Sequence, residues 1–241
     1  MLGQGNIDDL SCNLSTVRTR IRAAAAAAGR DPASVDLLAV SKTFSAEAVR
    51  GAHDAHQRAF GENYLQEALA KQALLRDLDL EWHFIGPIQS NKTRELAAHF
   101  EWVHGIDRLK IAQRLSEQRP DALPPLQVCV QVNVSGETSK SGCAPAEAAN
   151  LCAAVAALPH LRLRGLMAIP APATADTDPR APFRALRQLF ESIRATQPPH
   201  FDTLSAGMSD DLEAAIAEGS TLVRVGSAIF GARGKPDTPI G

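Results

Sequence analysis

The sequence has little that would mark a secreted, membrane-bound or nucleic-acid-binding protein. Its four cysteines form no CxxC pair and no histidine lies at zinc-finger spacing from them, so they predict reduced thiols. No apolar run approaches the roughly 20 residues that a membrane helix needs. The amino terminus carries Asp8 and Asp9 in place of the apolar core of a secretory signal. The net charge of −2 favours neither nucleic acid nor an anionic membrane surface. We therefore expect a cytosolic protein without membrane or nucleic-acid partners.

The sequence does have the length and apolar content of a soluble α/β domain. Its 241 residues, 45% of them hydrophobic, fit one α/β barrel, a fold that typically needs about 250 residues. Neither an internal repeat nor a linker divides the sequence. The expected organisation is a single domain over residues 1–241.

Short apolar segments alternate with longer amphipathic ones, which predicts parallel strands separated by helices. The strand candidates are Val35–Ser41, Ala59–Glu62, Trp82–Gly86, Trp102–His104, Leu126–Val134, Leu163–Ile169, Thr203–Ala206 and Leu222–Val225. A further helix is predicted before the first strand, over Cys12–Gly29. The helix after the sixth strand has four apolar residues on one face: Phe183, Leu186, Phe190 and Ile193.

Eight such strands, each followed by a helix, predict a (β/α)8 TIM barrel with an extra N-terminal helix. Along Leu126–Val134 the apolar residues alternate with polar ones or cysteine, which fits a strand with one side against helices and the other inside the barrel. The alternative is an open, doubly wound sheet. Its dinucleotide-binding version needs a GxGxxG motif after the first strand, and this sequence has none there.

One stretch, Pro170–Pro182, is rich in proline, alanine, aspartate and threonine and predicts a mobile loop after the sixth strand. A lid over the active-site side of the barrel and a plain surface loop both fit this position. The tail after Arg233 is predicted to be frayed.

Lys42 is the first candidate functional residue. It directly follows the apolar run Leu37–Ser41, so its side chain is expected to emerge from the barrel interior. The carboxyl ends of strands are where such barrels carry their working residues. Burial lowers the pKa of a lysine toward the range in which its amine is nucleophilic. Lys42 is therefore a candidate Schiff-base residue, and the alternative is a surface lysine in a loop.

The strand ends near the carboxyl terminus predict a phosphate site. A helix is expected to begin after the seventh strand with Ser209 or Asp210 as its N-cap, and Gly226 and Ser227 follow the eighth strand. The loops after these two strands bind phosphate in such barrels, through backbone N–H groups and hydroxyls. A lysine across the barrel mouth is the arrangement that pyridoxal 5'-phosphate requires. Simple capping by Ser209 and tight packing at Gly226 are the alternatives.

Six stretches of the sequence carry a resemblance to a known family: AVSKT (Ala39–Thr43), FGENYLQE (Phe60–Glu67), WHFIGPIQSNK (Trp82–Lys92), QVNVSGETSKSG (Gln131–Gly142), LRGLMAIPA (Leu163–Ala171) and LSAGMSDDLEAAIAEGSTLVRVGSAIFG (Leu204–Gly231). They resemble the pyridoxal phosphate homeostasis proteins (YggS/PROSC-like), which are related to the barrel domain of alanine racemase. The stretches run in order along almost the whole sequence.

The resemblance implies a set of cofactor contacts. Lys42 would hold pyridoxal phosphate as an internal aldimine, Asn63 would lie beside its ring, and Arg224 would face the pyridine nitrogen. Four residues would surround the phosphate: Ser205, Ser209, Gly226 and Ser227. Two would supply apolar contact or backbone N–H groups: Met167 and Met208.

The resemblance also implies a role in intracellular pyridoxal phosphate (vitamin B6) homeostasis rather than strong catalytic turnover. Arginine is only a donor, so a pyridine nitrogen that accepts from Arg224 stays unprotonated and is a poor electron sink. Alanine racemases further use a tyrosine from a second domain of the neighbouring subunit. This sequence lacks such a domain, and its one tyrosine is Tyr64.

Two alternatives to this function stay open: a slow amino-acid racemase that uses Lys42 alone or with Tyr64, and a barrel enzyme that acts on phosphorylated sugars. The resemblance alone implies delivery of the cofactor to apo pyridoxal phosphate enzymes. We expect a monomer.

The remaining polar residues at strand ends give weaker indications of function. His83 and His104 are expected to end adjacent strands, and no carboxylate cluster accompanies them, which disfavours a metal site. Lys140 fits either a second anion patch or a solvated loop lysine. Three acidic residues are expected to interact with a helix dipole rather than to act as acids or bases: Asp210, Asp211 and Glu213.

Overall fold

In a computed structural model, the protein folds into a closed barrel of parallel strands surrounded by helices. The structure describes residues 4–137, 141–171 and 177–231. Within these ranges eight strands pair in sequence order, and the last strand closes the barrel by pairing with the first. The prediction of a (β/α)8 barrel with an extra N-terminal helix is confirmed, and the open doubly wound alternative is excluded.

The strands are β1 (Asp36–Val40), β2 (Ala59–Glu62), β3 (Glu81–Phe84), β4 (Trp102–Ile106), β5 (Leu126–Gln131), β6 (Leu161–Met167), β7 (Thr203–Ser205) and β8 (Leu222–Val225). The helices are α1 (Gln4–Ala27), α2 (Ala46–Asp54), α3 (Leu65–Leu74), a 3-10 turn (Ser90–Lys92), α4 (Thr93–His99), α5 (Leu109–Gln118), α6 (Pro145–Ala156), α7 (Ala181–Arg194), α8 (Leu212–Ala217) and α9 (Ser227–Phe230).

The ends of two elements differ from their prediction. β4 continues beyond His104 to Ile106, so the prediction that His104 ends its strand is wrong. Gly105 lies within the strand, where a Cβ would come within 2.8 Å of the Gly86 oxygen, so close packing against Gly86 requires glycine. Helix α1 begins at Gln4 rather than near Cys12, and Leu10 in this added part is buried.

Apolar side chains fill the layer between strands and helices, and the barrel interior holds apolar side chains together with buried polar ones. Along β5, Val128 and Val130 pack in the large cluster that includes the helices. Cys129, between them, instead packs with Trp102 and Met167, so the predicted alternation is confirmed. The four apolar residues predicted to share one face of α7 are all buried.

The loop predicted over Pro170–Pro182 is shorter than expected at its end, because α7 begins at Ala181. Residues 170–171 and 177–180 are neither helix nor strand. Asp178 stabilises the start of α7, since its Oδ1 accepts a hydrogen bond from the Arg180 backbone N–H at 2.9 Å. Residues 172–176, Lys140 and the tail after Arg233 lie outside the described residues.

The described helices include none that is long and apolar enough to cross a membrane. All four cysteines lie in the described ranges and are unpaired. Burial raises the pKa of Cys129 and of Cys152 to about 12, so these thiols are poor nucleophiles.

Candidate functional site

A cavity of about 420 Å³ opens where β1 and β8 end. Seven of the nine predicted cofactor-binding residues line it: Lys42, Asn63, Met208, Ser209, Arg224, Gly226 and Ser227. The other two, Met167 and Ser205, are fully buried and do not line the cavity. Apolar walls are provided by Val40, Ile85 and Ile169. The structure thus brings together strand ends that are far apart in sequence.

The residues on either side of Lys42 are held by side chains from β2 and α3. The Ser41 hydroxyl donates to Glu62 Oε1 at 2.6 Å, and the Thr43 backbone N–H donates to Glu67 Oε1 at 2.6 Å. Thr43 has a φ of 67°, which is strained for a β-branched residue. Such strain persists only where the surroundings enforce it, so the backbone that presents Lys42 is firmly positioned.

A second lysine, Lys71, contacts the end of β1 and both of these glutamates. Its Nζ lies 2.6 Å from the Ser41 carbonyl oxygen, 2.7 Å from Glu62 Oε1 and 2.6 Å from Glu67 Oε1. Burial raises the pKa of the Glu62 carboxyl, and the charge of Lys71 opposes this shift. The sequence analysis did not identify this cluster, although Glu67 and Lys71 have the i,i+4 spacing of a helical ion pair.

Ser209 and Ser227 follow β7 and β8 and meet at the cavity, with their hydroxyl oxygens 3.1 Å apart. The prediction that Ser209 or Asp210 caps the following helix is wrong, because α8 begins at Leu212 after Asp211. Asp211 Oδ1 accepts from the Met208 backbone N–H at 2.6 Å. This bond folds the intervening residues into a turn that puts Ser209 at the cavity.

Two backbone contacts shape the cavity wall. A Cβ at Gly226 would lie 3.1 Å from the Val40 oxygen. Gly226 therefore packs closely against β1, and it also lines the cavity. A Cβ at Gly86 would lie 2.6 Å from the Asn63 backbone oxygen. Asn63 Oδ1 is buried without a hydrogen-bond partner among the described residues. Such an atom favours a polar ligand beside it, because unsatisfied buried polar groups are costly.

Arg224 is almost fully buried and donates to neutral groups. Its Nη1 lies 2.8 Å from Ser205 Oγ and its Nη2 lies 2.9 Å from the Ala168 oxygen. Burial lowers its pKa to about 10, so it stays charged at neutral pH. Among the described residues no carboxylate lies within ion-pair distance of it. Since Arg224 also lines the cavity, it can donate to an acceptor there.

Of the remaining candidate residues, some lie at the cavity and others lie outside it. Asp210 lines the cavity, whereas Glu213 pairs with Arg20 of α1 at 2.8 Å. Tyr64 precedes α3, is 57% exposed and does not line the cavity. No described cluster of histidine, cysteine and acidic residues is arranged to hold a metal ion.

These residues match the donor set that pyridoxal phosphate needs. Lys42 offers an amine for an aldehyde, the two serines offer hydroxyls for a phosphate, and Arg224 offers a donor for a ring nitrogen. The unsatisfied Asn63 oxygen marks a place for polar contact. The cavity therefore fits this group.

Comparison with known proteins agrees with this geometry. The family model of the alanine racemase N-terminal domain matches residues 12–234. The pyridoxal phosphate homeostasis protein of Pseudomonas aeruginosa is 66% identical over 221 residues, which cover 92% of this chain and 94% of that protein. The protein of the same name from Escherichia coli K12 is 56% identical over 233 residues, which cover 94% and 98%.

Solved structures show the same relation. PipY of Synechococcus elongatus with PLP bound has a TM-score of 0.80 and 36% identity, covering 92% of this chain and 100% of that one. Alanine racemase of Corynebacterium glutamicum has a TM-score of 0.67 at 20% identity, covering 98% of this chain and 63% of that one. The likeness to alanine racemase shows the barrel fold.

Proposed function

Because this chain belongs to the pyridoxal phosphate homeostasis proteins, within the alanine racemase N-terminal domain family, we propose that it binds pyridoxal 5'-phosphate as a Schiff base on Lys42. The observation that carries the proposal is the shared cavity of Lys42, Arg224 and the Ser209–Ser227 pair. When bound, the cofactor supplies an aldehyde carbon and an electron-withdrawing ring. The structure of PipY with PLP bound supports binding of the cofactor, and the Schiff base on Lys42 is the proposal.

Each lining residue has a role in this proposal. The Lys42 amine binds the aldehyde, and its strained neighbour Thr43 keeps the amine directed at the cavity. The hydroxyls of Ser209 and Ser227 donate to the phosphate near Gly226. Further contacts come from the Asn63 amide beside the ring, from Met208 as an apolar neighbour, and from Arg224 toward the ring nitrogen. Ser205 and Met167 act from outside the cavity wall.

We further propose that the protein holds and releases the cofactor, including to apo pyridoxal phosphate enzymes, without strong turnover of amino acids. Racemisation needs a proton donor on the face opposite the lysine. Tyr64, the residue that the racemase alternative invokes, is exposed outside the cavity. Arg224 donates and does not protonate the ring nitrogen, so the ring remains a poor electron sink.

The function is tested on the purified protein incubated with pyridoxal phosphate. We expect a bound chromophore that borohydride reduces to a stable adduct, and no conversion of L-alanine or L-serine above that of a Lys42→Ala control. Failure to form a reducible chromophore would contradict the proposal and favour an enzyme of phosphorylated sugars. Turnover that depends on Lys42 would instead favour the slow racemase.

Replacement of Ser227 with alanine is expected to weaken pyridoxal phosphate binding by about ten- to a hundredfold, because a hydrogen bond to a charged group contributes roughly 1.5–3 kcal/mol. Pyridoxal, which lacks the phosphate, should lose little affinity in the same variant. Equilibrium dialysis of both ligands measures the difference, with Ser227→Thr as the control that keeps a hydroxyl. Equal losses for the two ligands would remove Ser227 from the phosphate contacts.

Replacement of Arg224 with glutamate is expected to raise the exchange of an amino acid's α-proton into deuterated water. A carboxylate facing the ring nitrogen would let that nitrogen hold a proton, which improves the ring as an electron sink. Arg224→Gln keeps an N–H donor and is the control. Exchange is followed by NMR at matched cofactor occupancy, because the new charge also affects binding. Unchanged exchange in Arg224→Glu would mean that Arg224 does not control the ring.

A further inference from the structure

Five side chains form a continuous line of hydrogen bonds through the barrel interior, which we call the interior relay: Glu81, His83, His104, Ser205 and Arg224. Glu81 Oε1 lies 2.8 Å from His83 Nε2, and His83 Nδ1 lies 2.9 Å from His104 Nε2. His104 Nδ1 lies 2.9 Å from Ser205 Oγ, which is 2.8 Å from Arg224 Nη1. The relay runs from the first residue of β3 to the cofactor cavity.

The bond directions in the relay follow from its Glu81 end when both histidines are neutral. Ionised Glu81 has only acceptors, so His83 donates to it from Nε2 and accepts at Nδ1 from His104 Nε2. His104 Nδ1 is then an acceptor, and the Ser205 hydroxyl donates to it. Arg224 has only donors, so it donates to Ser205 Oγ.

This arrangement requires both histidines to be neutral, with their protons on Nε2. His83 therefore accepts at Nδ1 from His104 and donates at Nε2 to Glu81. Burial lowers the pKa of His83 despite the opposing bond to Glu81. Burial, with His83 and Arg224 nearby, lowers the pKa of His104 well below its usual value. The His83 ring is also stacked on Trp102, with centroids 5.1 Å apart and planes 7° apart, which fixes its orientation.

We propose that the interior relay positions the Arg224 guanidinium for an acceptor in the cavity, with Glu81 and Ser205 as positioning residues at its far and near ends. Ser205 thereby acts through Arg224 and is not a direct phosphate contact. This inference rests on the proposed function insofar as the acceptor is the cofactor ring. Hydrogen bonds aligned in one direction polarise one another, so the carboxylate at one end strengthens the hold on Arg224 at the other.

The far end of the relay is accessible from the amino side of the barrel. Glu81 and His83 line an opening of about 240 Å³ there, together with Asp36 at the start of β1. The Glu81 side chain is 49% exposed. Glu81 can therefore be changed without entering the cofactor cavity. Asp36 offers a matched control, since it is a carboxylate at the same opening and outside the relay.

The first experiment needs no cofactor and uses protein labelled with ¹⁵N in histidine and arginine. We expect NMR to show His83 and His104 protonated on Nε2, and the Arg224 guanidinium signals to shift in Glu81→Ala and Ser205→Ala. Asp36→Asn removes a charge near His83 but no hydrogen bond of the relay, so it should leave the protons on Nε2 and the Arg224 guanidinium signals in place. A protonated Nδ1 on His104 in the parent, or an Arg224 signal that does not respond to loss of Glu81, would overturn the relay.

The second experiment compares the same variants with pyridoxal phosphate bound. Glu81→Ala should shift the absorption maximum of the bound cofactor and weaken its affinity by about three- to tenfold, as expected for one weakened hydrogen bond. Glu81→Gln, whose amide oxygen can still accept from His83, should recover part of the affinity. If the parent binds the cofactor and Glu81→Ala matches Asp36→Asn in spectrum and affinity, the inference fails while the proposed function stands. If the parent binds no cofactor, the proposed function fails and the ligand-free signals of Arg224 decide the relay.

Discussion

Replacing Lys42 with alanine is expected to abolish covalent retention of pyridoxal phosphate. Among the described lysines, Lys42 alone lines the cavity. Lys71 is buried outside the cavity, and its Nζ lies within 2.6–2.7 Å of three oxygens, so it is not placed to reach a ligand there. The parent should therefore gain one pyridoxyl group after borohydride reduction, and Lys42→Ala should gain essentially none. Intact-protein mass spectrometry measures the difference.

Peptide mapping of the reduced parent identifies the lysine directly. The adduct should lie on the peptide that contains Lys42, and Lys92→Ala should label as well as the parent because Lys92 lies outside the cavity. Lys140, which lies outside the described residues, is the competing position. A main adduct on Lys92 or Lys140 would contradict the assignment and remove the central support for the proposed function.

The features of the site that could be predicted from sequence are those that the residue pattern of a single strand determines. An apolar run followed by Lys42 predicts a side chain at a strand end, whatever the neighbouring strands do. Arg224 and Gly226 are two positions apart, so an extended strand directs them to the same face, and both line the cavity. The order of strands also follows from a rule, because consecutive strands joined by helices pair in parallel.

The contacts that could not be predicted depend on pairs that only the closed barrel brings together. His104 and Ser205 are 101 positions apart, and neither residue has a local pattern that indicates the other. The predicted strand also stopped at His104, two residues too early, because the close approach of Gly105 to the Gly86 oxygen within β4 cannot be inferred from sequence. Burial of polar groups inside the barrel is thus the feature that sequence periodicity describes least well.

The Lys71 cluster shows the same limit for stability. The i,i+4 pair Glu67–Lys71 indicates an ordinary helical ion pair with a contribution of a few tenths of a kcal/mol. The fold adds Glu62 from β2 and the Ser41 carbonyl oxygen from the end of β1, with Glu62 fully buried. An ion pair that would contribute little on the surface is costly to break here. Removal of Lys71 would leave the charge of Glu62 buried, without a partner or solvent to stabilise it.

Replacing Lys71 with methionine is expected to lower the free energy of unfolding by about 3–5 kcal/mol at neutral pH, the usual cost of removing one partner from a buried ion pair. The variant leaves the Glu62 carboxylate buried and the Ser41 oxygen without its donor. Urea denaturation followed by circular dichroism measures the change. Lys92→Met, at a residue outside the cluster, is the control and should change stability by no more than about 0.5 kcal/mol.

The deficit of Lys71→Met should shrink as the pH falls. Burial already raises the folded-state pKa of Glu62, and Lys71 opposes that shift, so loss of Lys71 raises this pKa further. A carboxyl whose pKa is higher in the folded state than in the unfolded state binds more protons when folded, and stability then increases as pH falls through the folded pKa toward the unfolded value near 4.3. Adding Glu62→Gln to Lys71→Met should recover much of the loss at neutral pH and remove most of its pH dependence. A loss of stability that stays constant with pH and is unaffected by Glu62→Gln would contradict this account. It would show that Lys71 stabilises the barrel through packing of its methylene groups and not by compensating the charge of Glu62.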